Sequence, residues 1–181
     1  MASFQEPRGK GGRRLQGKYL TFRLGNEEYG VEVLKVREIS GLMSITPVPR
    51  TPDYIRGLIN RRGKVIPVID LRRRFGMGGV EETEQACIIV VEILCGGEAA
   101  EVGLLVDGVI EVTEIREGDI QESLSLGSGV NTDFILGFAK GRGSVKILLN
   151  LETILTEKET AGATSQGPAL EQDAAETTST G

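Results

Sequence analysis

The chain repeats itself. Residues 53–71 align without a gap on residues 133–151, and seven of the nineteen columns are identical: Asp53, Ile55, Gly57, Arg62, Gly63, Val65 and Leu71 meet the same residue types at Asp133, Ile135, Gly137, Arg142, Gly143, Val145 and Leu151. At a shorter offset Gly30, Val33, Val36 and Glu38 find their like at Gly103, Val106, Val109 and Glu111. A period of about 75 residues is far too long for a solenoid and suits a duplicated small domain. Two such modules related by a pseudo-twofold axis pack side by side, and the groove expected between them is the first candidate binding site.

Period-two alternation gives each module its strands. Leu20, Phe22 and Leu24 alternate with Tyr19, Thr21 and Arg23; after the turn Gly25-Asn26-Glu27-Glu28, Tyr29, Val31 and Val33 alternate again, which predicts a hairpin. Cys87 to Leu94 and Val102 to Val106, joined across Cys95-Gly96-Gly97, predict a second hairpin, with Val109 to Ile115 as the next strand. Leu58–Asn60, Lys64–Ile69 and Val145–Leu149 are further strands, with Pro67 calling for an edge or a bulge. Gly63 and Gly143 each sit where a tight turn needs positive φ. Helix is confined to single turns: a start at Thr51-Pro52-Asp53, and the i, i+4 pairs Leu71 with Phe75 and Leu151 with Leu155. Short strands with glycine corners predict an all-β chain of two small closed barrels, because closure removes exposed edges.

The repeats lie within residues 18–156. Residues 1–17 hold four basic side chains, one acidic and little to bury, and residues 157–181 hold five acidic, one basic and no apolar periodicity, so both read as flexible tails. Charge within the middle is uneven. Residues 50–74 carry eight basic and two acidic side chains, residues 81–122 twelve acidic and one basic. Faces of opposite sign favour oriented docking to proteins.

Histidine is absent from all 181 residues, which removes the usual catalytic triads, the commonest metal ligand and the ordinary proton shuttle near neutral pH. Cys87 and Cys95 frame an apolar strand rather than a CxxC pair and read as core thiols. No phosphate-binding glycine loop of either common type occurs. Most hydrolase and metalloenzyme readings fall on these absences, and neither a cofactor nor a metal is called for. A nucleic-acid-binding barrel using residues 50–74 is the distant alternative, but the segment lacks interleaved aromatics to stack on bases. No apolar run approaches the ~18 residues that span a bilayer, and a cytoplasmic chain is the expectation.

Glu38 and Arg62 recur as Glu111 and Arg142. Two roles fit: an internal ion pair that closes each barrel, favoured by the recurrence, or part of a contact surface. A pair can do both.

These motifs, Glu28-Tyr29-Gly30-Val31 running into Leu34-Lys35-Val36-Arg37-Glu38-Ile39, then Gly57 through Leu71, and Val102-Gly103-Leu104-Leu105-Val106-Asp107, resemble the CheW family of bacterial chemotaxis coupling proteins. The one departure noted is Arg61, where the family usually has leucine. The resemblance implies two five-stranded SH3-like barrels. It implies an adaptor without catalysis, joining the cytoplasmic signalling tip of a chemoreceptor, a helical hairpin, to the regulatory domain of the histidine kinase CheA, with ring or array assembly beneath the inner membrane. It assigns receptor coupling to Val36, Glu38, Gly57 and Arg62 and leaves the kinase-facing residues unplaced. A detached regulatory module of a kinase or hybrid signalling protein is the nearer alternative.

Overall fold

The computed structural model describes residues 8–9, 13–122 and 133–154; the expected tail at 157–181 lies outside them. Among the described residues β1 (Arg8–Gly9) pairs only with β2 (Arg13–Arg14). β3 (Gly17–Leu24) and β4 (Glu27–Glu32) form the first predicted hairpin, closed by Gly25 at φ 61°. A 3-10 turn over Val33–Lys35, where alternation had extended the strand, leads into β5 (Val36–Gly41). β6 (Ile55–Arg61) and β7 (Lys64–Asp70) follow, then α1 (Leu71–Arg74). The second copy supplies β8 (Cys87–Cys95), β9 (Glu98–Val106) and β10 (Gly108–Ile115). After a 3-10 turn at Glu117–Asp119 come β11 (Ile120–Gln121), β12 (Ile135–Lys140), β13 (Val145–Leu149) and α2 (Leu151–Ile154).

One sheet runs β10-β3-β4-β13-β12-β11 and the other β5-β8-β9-β7-β6. Under the sequence repeat β8, β9, β5, β7 and β6 correspond to β3, β4, β10, β13 and β12, so the two orders are the same, with β11 added to one. The correspondence extends to irregularities. The bulge between Val36 and Glu38 recurs between Val109 and Glu111, and that between Ile55 and Gly57 recurs between Ile135 and Gly137. The two parallel pairings among the described residues match too: Val68 stands opposite Gly103, as Leu148 stands opposite Gly30.

The sequence copies, however, are not the structural units. The hairpin β3–β4 of the first copy lies in the sheet completed by β10, β12 and β13 of the second, and β8–β9 lies among β5, β6 and β7 of the first. Each copy lends its hairpin to the other. Both sheets then close on themselves in the same manner: the chain leaving β5 returns through Thr46, which exchanges two 2.8 Å backbone hydrogen bonds with Leu58 of β6, and the chain leaving β10 returns as β11 against β12.

Three apolar clusters follow. One, with Ile59, Ile66, Val68, Ile88, Val90 and Leu105, fills the first closed sheet, and another, with Leu15, Tyr19, Ile115, Leu136, Ala139 and Leu148, fills the second. The third and largest lies where the sheets meet and is assembled from repeat-related residues, such as Leu20 with Ile89, Phe22 with Val91, Val31 with Leu104, Ile69 with Leu149 and Leu71 with Leu151. Phe22, Tyr29, Phe75 and Phe134 stack in file through it, centroids 5.9, 5.7 and 4.9 Å apart. The expected groove between the modules is therefore occupied at its floor by side chains, a consequence of the exchanged hairpins, which weld the two sheets face to face.

Four local expectations also change. Thr51 does not cap a helix: its hydroxyl donates to Val48 O, and Ile55 N–H bonds Pro52 O in a turn, because the segment is committed to pairing Thr46 with Leu58. Pro67 sits in an interior strand without a bulge of its own; Leu58, opposite it, directs its N–H and C=O to Thr46, and the pairing of β7 with β9 begins only at Val68. Leu15, placed by composition in the leading tail, is fully buried beside Tyr19, whose hydroxyl donates to Leu15 O, so the folded body begins earlier. Cys95 ends β8 half-buried rather than in the core, whereas Cys87 is buried, which pushes its thiol up.

Candidate partner-binding surface

Val36 and Glu38 share β5, but the bulge at Arg37 separates their faces. Val36 stands opposite Val91 and packs on the central cluster, whereas Glu38 stands opposite Val90, which belongs to the first sheet's own cluster. Val109, the repeat of Val36, packs on the central cluster from the other sheet.

Glu38 lies on the strand that begins the first sheet and meets residues of β6, the strand that ends it. Its chief partner is Arg61, whose Nε donates to Glu38 Oε2 while Nη1 donates to Glu101 Oε1 at 2.9 Å. Lys64 Nζ lies 3.3 Å from the other oxygen of Glu101. Beside this chain of charges Arg37 donates to Glu92 at 2.8 Å. The hydrogen bond from Arg61 holds the Glu38 carboxyl below the usual glutamate range against the opposing effect of burial, and Arg37 does the same for Glu92.

Arg62 stands apart. Its Nη2 comes no nearer than 3.8 Å to Glu38 Oε1, and its side chain is 78% exposed against 16% for Arg61. Arg61 faces Lys64 across the hairpin, so Arg62 and Gly63 form a two-residue turn with φ of 55° and 81°, the left-handed pair of a type I′ hairpin, with Gly63 N–H bonded to Asn60 Oδ1. The structure thus brings Glu38 and Arg62 near each other but gives the close pairing to Arg61. In the second copy Gly141 occupies the position of Arg61, and no ion pair joins Glu111 to Arg142 among the described residues; the Thr21 hydroxyl instead bonds the backbone of Glu111. Barrel closure by a recurring Glu–Arg pair is corrected accordingly. Arg61 was visible in the sequence only as an added charge, since nothing local tells which of two adjacent arginines faces a strand remote in sequence.

Gly57 is buried, with φ 146°, and a Cβ there would stand 2.2 Å from Thr46 O. It acts from beneath, seating the 42–50 segment on β6. Close to Val36 in sequence, an apolar recess of about 260 Å³ is lined by Gln16, Gly17, Lys18, Tyr19, Glu32, Val33 and Leu34, and Leu34 is 85% exposed. Sequence reading did not single it out, because the recess joins the first turn of β3 to the unpredicted 3-10 turn.

The basic segment is largely neutralised within the fold. Arg56 pairs with buried Asp70 at 3.2 Å, Arg72 with Asp107 at 3.1 Å, Arg73 with Asp53 at 3.7 Å, and Arg74 donates to Ile154 O and covers the Tyr54 ring. Such a surface has little free charge with which to release counterions from a nucleic-acid backbone. Among the described residues no group of three or more acidic or cysteine side chains is placed to hold a metal ion, and no helix is long and apolar enough to cross a membrane.

Comparison with known proteins gives this geometry a family. The CheW-like domain model matches residues 18–159, nearly the whole double-sheet body. The chemotaxis protein CheW of Klebsiella aerogenes is 35% identical over 150 residues, 83% of this chain and 88% of that protein. That of Rhizobium meliloti is 35% identical over 153 residues, 84% of this chain and 94% of that protein. The crystal structure of the scaffolding protein TtCheW from Thermoanaerobacter tengcongensis superposes with a TM-score of 0.68 at 39% identity, covering 78% of this chain and 93% of that one. Duplicated sequence, two all-β units and the matching relatives agree: the chain belongs to the CheW family of chemotaxis scaffold proteins.

Proposed function

We propose that the chain is a non-catalytic adaptor that couples chemoreceptor cytoplasmic signalling tips to the regulatory domain of the histidine kinase CheA, in arrays on the cytoplasmic side of the inner membrane. The observation that carries this reading is the family match across the whole double-sheet body. The duplicated surface supports it: exposed Ile39 recurs as exposed Val112, and exposed Val65 as exposed Val145, so related apolar docking points stand on both units. An adaptor between two partners needs two such faces.

Receptor coupling falls to the surface around Glu38 and Arg62, with Val36 fixing the approach of β5 to the central core and Gly57 seating the segment above β6. The Leu34 recess beside Val36 suits an apolar side chain on one face of a receptor helix. Docking contacts of modest area lead us to expect micromolar affinity. Binding is measured against a soluble receptor signalling fragment, the kinase regulatory domain and an unrelated DNA duplex, each at two salt concentrations. Uptake of both proteins, with Val36→Met and Arg62→Ala weakening the receptor arm alone, is the expected result. Salt-sensitive duplex binding without uptake of either protein overturns the reading in favour of a nucleic-acid barrel; kinase-domain binding without receptor binding favours a detached regulatory module.

A further inference from the structure

We propose that residues 4–7 continue β1 along the first residues of β3 and seat the Phe4 ring in the recess beside Leu34, so that the chain's own leading segment competes with a docking partner for that recess. The competition deepens the receptor-coupling reading and rests on it for the identity of the partner, whereas the seating of Phe4 stands on strand register. Arg8 lies opposite Arg14 and Gly9 opposite Arg13, so each residue further towards the start of the chain meets the next residue towards β3: Pro7 meets Leu15, Glu6 meets Gln16, Gln5 meets Gly17 and Phe4 meets Lys18. Among the described residues one side of β3 is open to receive them. On the other side Gly17 and Lys18 already stand opposite Ile115 and Glu114 of β10. On the β4 side the ladder stops at Tyr19 opposite Glu32, because Val33–Lys35 departs as a 3-10 turn. The recess is the place that β4 vacates: Gln16, Gly17 and Lys18 form one wall, Val33 and Leu34 of the departing turn the other.

The residues suit these places. Pro7, which has no N–H to give, falls opposite Leu15, whose C=O already accepts the Tyr19 hydroxyl. Directly opposed residues share a face of the sheet, and Lys18 shares its face with Leu20 of the central cluster, on which Val33 also packs. Phe4, the one aromatic side chain in residues 1–14, therefore falls at the margin of the central core. The recess of about 260 Å³ exceeds the ~150 Å³ that houses a benzene ring, and Leu34, 85% exposed, stands at its rim for the ring to cover. Burial of one ring is set against the ordering of four residues, so the seated and unseated states lie close in free energy and a partner can displace the ring. A recess filled about two-thirds of the time raises a partner's apparent Kd about threefold.

The chain holds no tryptophan, so Phe4→Trp in the full-length protein gives a single fluorescent reporter. Its emission is expected to be blue-shifted and shielded from acrylamide, to be independent of protein concentration, and to move to the exposed range when Leu34→Asp is added. In the wild-type chain the Glu6 amide, next in the ladder to Pro7, is expected to exchange with solvent more slowly than in Phe4→Asp. A soluble receptor signalling fragment is expected to drive the reporter to exposed emission, and Phe4→Asp is expected to bind that fragment about threefold more tightly than wild type. Exposed emission that Leu34→Asp does not alter, or a Glu6 amide that exchanges equally fast in wild type and Phe4→Asp, overturns the seating of Phe4. A blue shift that grows with protein concentration assigns the recess to a second copy and overturns it as well. A buried reporter combined with equal fragment binding by Phe4→Asp and wild type overturns the competition. If wild type takes up no fragment at all, the receptor reading falls and the competition with it, while emission and exchange still decide whether Phe4 fills the recess.

Discussion

At Gly57 a single missing methyl group decides how a whole segment lies. With Thr46 O 2.2 Å from the position of a Cβ and φ at 146°, Gly57→Ala forces the 42–50 segment off β6 and strains the backbone as well. The expected cost is about 3 kcal/mol, summed from overpacking and the left-handed conformation. Chemical denaturation gives the value directly, and a loss below about 1 kcal/mol contradicts the close approach. Glu38 and Glu92 make a different prediction. Both carboxyls are held below their ordinary range by hydrogen bonds from arginines, so each contributes stability that is fully present above the ordinary glutamate value and is lost as pH falls through the lower folded-state value. Between about pH 5 and 3, Glu38→Gln should therefore lose less stability than wild type. An unchanged acid limb removes Glu38 from the account.

At the scale of elements, the two parallel pairings are repeat-related and yet packed to different tightness. A Cβ on Gly103 meets Ile88 Cγ2 at 2.8 Å and Val68 Cγ2 at 3.3 Å, both on stiff, fully buried branched side chains; on Gly30 it meets Leu148 Cδ2 at 3.2 Å, the end of a more flexible one. Gly103→Ala is expected to cost about 2 kcal/mol and Gly30→Ala about 1 kcal/mol or less. Equal costs in parallel denaturant titrations would show that the two junctions yield alike. The hairpins β3–β4 and β8–β9 were legible because alternation and glycine turns are written locally, and so were the positive φ values at Gly63 and Gly143. The start signal at Thr51-Pro52 misled because the local capping chemistry lost to pairing of Thr46 with Leu58, which no window of sequence contains. Arg61 and Arg62 show the same limit: hairpin register, not residue type, decides which one reaches Glu38.

For the whole molecule, the repeat revealed ancestry and symmetry but not which copy's hairpin completes which sheet. Similarity between two segments is silent about exchange, since exchanged and unexchanged arrangements satisfy the same alternation, the same turns and the same bulges. The central core, built from repeat-related residues of both sheets, is where the difference is felt: each sheet takes two strands from one copy and at least three from the other. The molecule should accordingly unfold as one unit rather than as two domains. The direct measurement divides the chain between α1 and β8 and examines residues 13–79 and 80–156 by thermal unfolding and sedimentation. Neither fragment is predicted to form a folded monomer; order should appear only when they are mixed one to one, or when a fragment pairs with its own copy across a true twofold. A cooperatively folded monomer of either fragment would contradict the exchange of hairpins and the account built on it.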